Sequence, residues 1–348
     1  MKGAPHGKLN LVPDVLSAQD LTLPKARTLP QFSPPPRFGE TSFALYEPQH
    51  PSQREASKTS QAFAKEVTQS KPTSFRWFWQ DAQVQEGRGL YLDGGFGTGK
   101  THLLAAAYHA CDAPEEDKAY MSFQELVYVI GAQGMAQAKE KLTYKLFCVD
   151  EFELDDPGNT LIVKTFLSHA FERGSFVMTT SNTPPEAQGQ GRFNASDFKR
   201  EIQSIAERFD AVLLEGPDYR QRDHLATLLS EEKLRDLLRS EDAPGPKAHL
   251  QWRDLLTLLG EHHPIRYSDL LGQIGTLYLS GMRTLGEQND ALRFVHFIDK
   301  LYDLKVGFRG AGEVALEDLF SPDYRSGAYA KKHYRCLSRL SELLEETF

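Results

Sequence analysis

Between residues 89 and 217, short apolar runs alternate with longer stretches of helical period, and this alternation is the main structural signal of the chain. The runs at 89–93, 119–123, 145–150, 175–181 and 211–215 have the length and the aromatic and β-branched content of buried strands. Helical stretches lie between them at 100–110, 123–131, 159–172 and 197–208. Such an order predicts an α/β fold: a parallel sheet with helices on both faces and ligands at the carboxyl ends of the strands. Beyond 217 the pattern predicts a mainly helical domain, with helices at 220–240, 249–260, 266–284, 287–304 and 331–346 and a short strand near Val306–Phe308. In the last helix Tyr334, Leu337, Leu340 and Leu344 form a stripe expected to pack inward. The tract Ser240–Pro246 reads as a loop.

Before residue 73 the alternation is missing. Pro, Ser, Gln and Thr dominate, with Pro34, Pro35 and Pro36 at the centre, and the segment reads as extended and partly ordered. Residues 52–70 carry Ala56, Phe63 and Val67 as a thin apolar face, which suits a polar helix and a linker equally. The domains read from the pattern are therefore a partly ordered extension (1–72), an α/β core (73–217) and a mainly helical C-terminal domain (218–348).

A length of 348 residues fits about two domains, and 40% hydrophobic with 25% charged residues is ordinary for a globular protein. The net charge of −8 argues against coating nucleic acid by bulk electrostatics, so nucleic acid is not the expected partner. Cys111, Cys148 and Cys336 lie far apart with no C-x-x-C pair, which fits a reducing compartment and neither a disulfide framework nor a zinc site. No apolar run approaches the roughly 18 residues of a spanning helix, and the N-terminus lacks a signal-peptide core. A cytoplasmic protein without an integral membrane segment is expected.

The chemistry starts at Gly94-Gly95-Phe96-Gly97-Thr98-Gly99-Lys100-Thr101, which matches the phosphate-loop pattern G-x-x-x-x-G-K-[ST] at every fixed position. The glycines let backbone N–H groups surround phosphates, Lys100 brings a positive charge to the β and γ phosphates, and the Thr101 hydroxyl is a magnesium ligand. A strand precedes the loop and a helix follows, so the helix N-terminus faces the anion, with His102 in its first turn. ATP and Mg²⁺ are the expected cofactors. The strand Leu146–Val149 then ends in Asp150, placed to hold magnesium, and Glu151, placed to act as general base on a water. A third strand ends in Thr179-Thr180-Ser181-Asn182. Asn182 is assigned to sense the γ-phosphate, although Asn before Thr183-Pro184-Pro185 also suits a turn. Further charge on the transferred phosphoryl group calls for arginine. The candidates are Arg192, Arg200 and Arg208 after the sensor strand, and Arg220, Arg222, Arg283 and Arg293 beyond it. The aromatic cluster Phe75, Trp77, Phe78 and Trp79 reads as core, with base stacking or an adenine wall as alternatives.

With these motifs assembled, residues 73–348 resemble the ZapE family of AAA+-like P-loop ATPases, bacterial cell-division proteins with mitochondrial relatives. The resemblance rests on the loop Gly94–Thr101, Asp150-Glu151-Phe152, Thr180-Ser181-Asn182 with Pro184-Pro185, Asp218-Tyr219-Arg220, the block Ala291–Asp303, and Arg335–Leu340. It implies an ATPase whose helical lid supplies a sensor arginine, Arg293. It also implies a protein partner, FtsZ or another division protein, with hydrolysis coupled to division at the FtsZ ring. A homo-oligomer is a further candidate assembly. The family's Arg-Phe pair after the sensor strand is displaced here to Asp197-Phe198-Lys199-Arg200 or to Arg208-Phe209, which leaves the arginine finger open between Arg200 and Arg208. The competing readings are a DNA-linked helicase loader or initiator, suggested by Gly99–Leu103, and a division scaffold in which bound ATP only sets conformation. A loader needs a basic DNA-binding element, which the C-terminus lacks, and the intact Asp150 and Glu151 count against a scaffold.

Overall fold

The computed structural model describes residues 15–23, 32–70, 86–154, 156–188, 195–217, 225–324 and 329–347. They form two compact units: Thr28–Gln221, and Arg222–Phe348 together with Met1–Arg27.

The first unit is built on five parallel strands, β1 (Gly89–Gly94), β2 (Lys118–Ser122), β3 (Leu146–Asp150), β4 (Phe176–Ser181) and β5 (Phe209–Leu214), in the order β2-β3-β4-β1-β5. All six residues of β1 are buried, and their side chains alternate between two cores. Leu90 and Leu92 pack with Leu103, Leu104 and Tyr108 of α2 (Lys100–Ala110) and with Phe63 and Val67 of α1 (Pro51–Gln69). Tyr91 faces the opposite way, among residues of α3 (Phe123–Gln133), α4 (Met135–Lys141), α5 (Pro157–Glu172) and α6 (Ala195–Ala206). The period of two in a fully buried strand thus places helices on both faces, as the alternation predicts. Strand β4 lies between β1 and β3, with Leu92 opposite Thr180 and Val149 opposite Thr179, so the strand ends read as loop, acid pair and sensor are adjacent.

The partly ordered extension expected for residues 1–72 is corrected over its described part. Residues 51–69 form a 19-residue helix that opens with Pro51 at its first position and a His50 cap. Gln53 Oε1 reaches back to accept from the His50 N–H at 3.2 Å. Ala56, Phe63 and Val67 are buried, but so are Gln53, Ser57 and Ser60, and these polar members hid the packing face from a hydrophobic-pattern reading. Residues 15–23 join the other unit, where Leu16 accepts from His249 N at 2.8 Å and donates to Lys247 O at 2.9 Å. The aromatic cluster at 75–79 lies outside the described residues.

The second unit is rich in helix, as expected, and also contains a parallel sheet that the pattern did not resolve. Strands β6 (Lys247–Gln251), β7 (Thr276–Met282) and β8 (Gly307–Gly312) pair in sequential order. Around them lie α7 (Glu231–Ser240), α8 (Trp252–Glu261), α9 (Tyr267–Leu271), α10 (Gln288–Asp303) and α11 (Ala330–Glu345). The helix expected at 266–284 is a five-residue helix followed by β7. Leu277, Tyr278 and Leu279 are buried on both sides of a covered sheet, which removes the alternation that identifies a strand. In α11, Leu337 and Leu340 pack inward as expected, whereas Tyr334 is 59% exposed and Cys336 and Leu343 complete the buried face.

Helices α10 and α11 are joined by a buried ion cluster. Asp299 lies 2.5 Å from both Arg335 Nη2 and Arg339 Nη1. Burial alone would raise the Asp299 pKa, but the two guanidiniums outweigh it and hold the carboxyl well below the usual carboxylate range. Among the described residues, no helix is long and apolar enough to cross a membrane.

Candidate active site

The glycine loop leaves β1 at Gly94 and enters α2 through Gly99, whose φ of 89° lies in the left-handed region. A side chain at Gly99 would also collide with Tyr46, with its Cβ 2.5 Å from the ring. The position therefore requires glycine for both conformation and space. At the start of the loop, a Cβ on Gly94 would sit 2.2 Å from the Leu214 carbonyl of β5. Thr98 Oγ1 donates to Gly95 O at 3.0 Å and closes the turn. The Lys100 ammonium, almost fully buried, donates to Gly94 O at 2.9 Å, Gly95 O at 2.6 Å and Asn182 Oδ1 at 2.9 Å. The basic residue of the loop and the residue read as its sensor, 82 positions apart, thus touch.

The Thr101 hydroxyl donates to Asp150 Oδ1 at 3.2 Å, and the Tyr120 hydroxyl donates to Oδ2 at 3.4 Å. Thr180 Oγ1 donates to Asp150 Oδ1 as well. Hydroxyl and carboxylate oxygens converging without nitrogen or sulfur are the donor set that suits Mg²⁺. The expected ligands Thr101 and Asp150 fit the metal. Glu151 follows at φ 55°, an uncommon conformation for a residue with a side chain, and its N–H donates to Thr180 Oγ1 at 3.0 Å.

Several contributors were missed by the sequence reading. Tyr46 donates its hydroxyl to Thr98 O at 3.0 Å and packs against His102, with ring centroids 5.2 Å apart. His102 Nε2 lies 2.9 Å from Ser42 O, so this loop-flanking residue is engaged by the N-terminal segment. Gln188, almost fully buried, donates from Nε2 to the Tyr91 hydroxyl at 2.7 Å and Ser181 Oγ at 2.9 Å, and accepts from Leu154 N at 2.8 Å. Tyr91 in turn donates to Thr183 O at 2.7 Å, and burial pushes its hydroxyl pKa up. This knot ties the turn after Glu151 to the turn after Asn182. Thr180 was the most legible of the missed residues, since strand alternation places it on the same side as Asn182. Tyr46 and Gln188 carry no local signal.

The arginines are distributed differently from the expectation. Arg208 lies at the amino end of β1, where its carbonyl accepts from Gly89 N at 3.0 Å and its guanidinium sits 2.5 Å from Glu86 and over the Phe171 ring. The remaining length of β1 to Gly94 is about 17 Å, beyond arginine reach, so Arg208 does not serve the loop of its own chain. The displaced Arg-Phe pair is therefore a packing feature of the opposite sheet edge. Arg200 is exposed on α6. Arg293 belongs to the C-terminal unit, on α10, with Nη1 3.8 Å from Asp290 Oδ1, and Arg283 follows β7 in the same unit. Arg192, Arg220 and Arg222 lie outside the described residues.

The family model for AFG1-like ATPase matches residues 22–242 and 231–348. The chain belongs to the AFG1-like ATPase family. Its curated relatives include the cell division protein ZapE of Escherichia coli strain K12, 24% identical over 310 residues, covering 77% of this chain and 81% of that one. An uncharacterised protein of Schizosaccharomyces pombe is 21% identical over 337 residues, with 75% and 73% covered. The resemblance to ZapE read from the motifs therefore holds. Among solved structures, the DnaC helicase loader matches with 17% identity and a TM-score of 0.36, covering 52% of this chain and 99% of that one. Domain III of the Thermotoga maritima replication initiation protein DnaA matches with 18% identity and a TM-score of 0.38, covering 53% and 70%. As a member of this ATPase family with an intact glycine loop, the chain is a nucleotide-binding protein.

Proposed function

We propose that the chain hydrolyses ATP to ADP and phosphate in the cytoplasm and uses the cycle to remodel or regulate a protein partner of the division machinery at the FtsZ ring. The observation that carries hydrolysis is the meeting of Lys100, Thr101, Asp150 and Asn182 at adjacent strand ends, with Glu151 turned out of the strand beside them. A site built only to hold nucleotide needs the loop; the acid pair and the sensor contact are what hydrolysis adds.

In this reading the loop N–H groups and Lys100 hold the triphosphate, and Asn182 orients the γ-phosphate end. Glu151 accepts the proton of the attacking water as its oxygen bonds to the γ-phosphorus and the bond to the β–γ bridging oxygen breaks. Thr101 and Asp150 would hold magnesium, which when bound supplies charge neutralisation on the phosphates. Arg293 is the proposed sensor arginine, on the strength of the family resemblance. The partner and the division role rest on the relation to ZapE.

Phosphate release by the purified protein tests the reading. Lys100→Ala is expected to lose nucleotide binding or turnover, and Glu151→Gln to bind ATP without turning it over. Full turnover by the Glu151 variant removes it as base. A parent protein that binds ATP but does not hydrolyse it, even with division proteins and membranes present, refutes the enzyme. Capture of partners on the stalled Glu151→Gln protein in cells tests the division role, which fails if no division protein is enriched over the Lys100→Ala control.

A further inference from the structure

Both acids of the site meet on one side chain. Thr180 Oγ1 gives its proton to Asp150 Oδ1 and accepts the Glu151 N–H at 3.0 Å, while the Thr180 carbonyl accepts the Phe152 N–H at 2.7 Å. Three consecutive residues, 150 to 152, are therefore held by one residue of β4. The middle one has the positive φ of 55°. A non-glycine residue stays in that region only where its surroundings over-determine it. Thr180 is 2% exposed, so no bulk water is available to replace its hydroxyl. The hydroxyl is used in both directions, and the charged acceptor on one side strengthens the bond it receives on the other.

We propose that Thr180 is a positioning residue for hydrolysis: its hydroxyl fixes the turn that aims Glu151 and links that turn to the carboxylate of Asp150. Thr180 itself touches no reacting atom. The inference rests on the hydrolytic reading above. Thr180→Val keeps the shape and the β-branch suited to a strand and leaves the backbone contact to Phe152 intact. It removes only the hydroxyl.

Three measurements on the full chain test this. Calorimetric titration with ATP and magnesium is expected to give a Kd for Thr180→Val within about 3-fold of the parent, since the loop is untouched, while kcat falls about 10- to 100-fold, the usual cost of losing a partner that orients a site group. Thr180→Ser is expected to restore kcat to within about 3-fold of the parent. The Thr180→Val/Glu151→Gln double variant is expected to be no slower than Glu151→Gln alone, because both changes act through one group. Independently of turnover, amide exchange of a peptide spanning residues 148–154 is expected to speed up about 10-fold or more in the valine variant and not in the serine one. Should valine prevent folding, the Ser and Ala variants provide the same contrast, and equal activity in those two overturns the proposal. A valine variant with parental kcat and exchange overturns it while leaving the ATPase reading standing. A parent without turnover overturns both.

Discussion

Asp299→Asn changes no volume and removes one charge, which makes it a direct probe of the α10–α11 joint. In the native protein the carboxylate touches two guanidiniums, and all three residues are less than a tenth exposed. Removing one partner of a buried ion pair costs about 3–5 kcal/mol, mostly because the remaining charge stays buried and uncompensated. The asparagine retains one acceptor oxygen, which points to the lower end, about 3 kcal/mol. Native-state hydrogen exchange of peptides from residues 288–303 and 330–345 is the assay, because local opening is read without assuming that both units unfold together. At about 1.4 kcal/mol per tenfold, a loss of 3 kcal/mol accelerates exchange in α11 on the order of 100-fold. The folded carboxyl is depressed below the ordinary unfolded value of about 3.9, so its stabilisation is complete above that value. It is lost only as pH falls from there through the folded value. The gap between parent and variant is therefore expected to be constant from neutral pH down to about pH 4 and to narrow below it. Exchange within about 3-fold of the parent at pH 7 refutes the reasoning, since the guanidiniums would then not depend on Asp299 for their charge balance.

Gln188→Ala is expected to destabilise the first unit by about 2–4 kcal/mol in chemical denaturation, because it leaves Tyr91, Ser181 and Leu154 N short of buried partners; a change under about 0.5 kcal/mol shows that the knot is redundant. Arg208→Ala is expected to leave kcat within about 2-fold and to cost at most about 1 kcal/mol, as its pair with Glu86 is largely exposed. A tenfold loss of turnover would instead assign Arg208 to a neighbouring copy's site.

The parts of the site that the sequence revealed are those made by contiguous residues. A glycine loop between strand and helix has to be written in order, because the turn, the inward N–H groups and the helix N-terminus are consecutive along the backbone. The acid pair and Asn182 were legible as polar endings of apolar strands, and parallel strands end at the same edge of a sheet. Tyr46 and Gln188 were not legible. Tyr46 reaches Thr98 across 52 residues and Gln188 reaches Tyr91 across 97.

The pattern also misread elements whose burial did not match their polarity. Helix α1 buries Gln53, Ser57 and Ser60, and β7 is apolar on both faces, so the first looked like a linker and the second like a helix. Chemistry that needs neighbouring residues, and strands long enough to show their period, were determined by the sequence itself: a nucleotide-binding α/β core with Lys100, Thr101, Asp150, Glu151 and Asn182 at its strand ends. The tertiary structure decided that Arg208 belongs to the wrong edge of the sheet, that Asp299 sits between two arginines, and that one threonine serves both acids. These depend on which distant strands and helices become neighbours, and that is set by packing the whole chain.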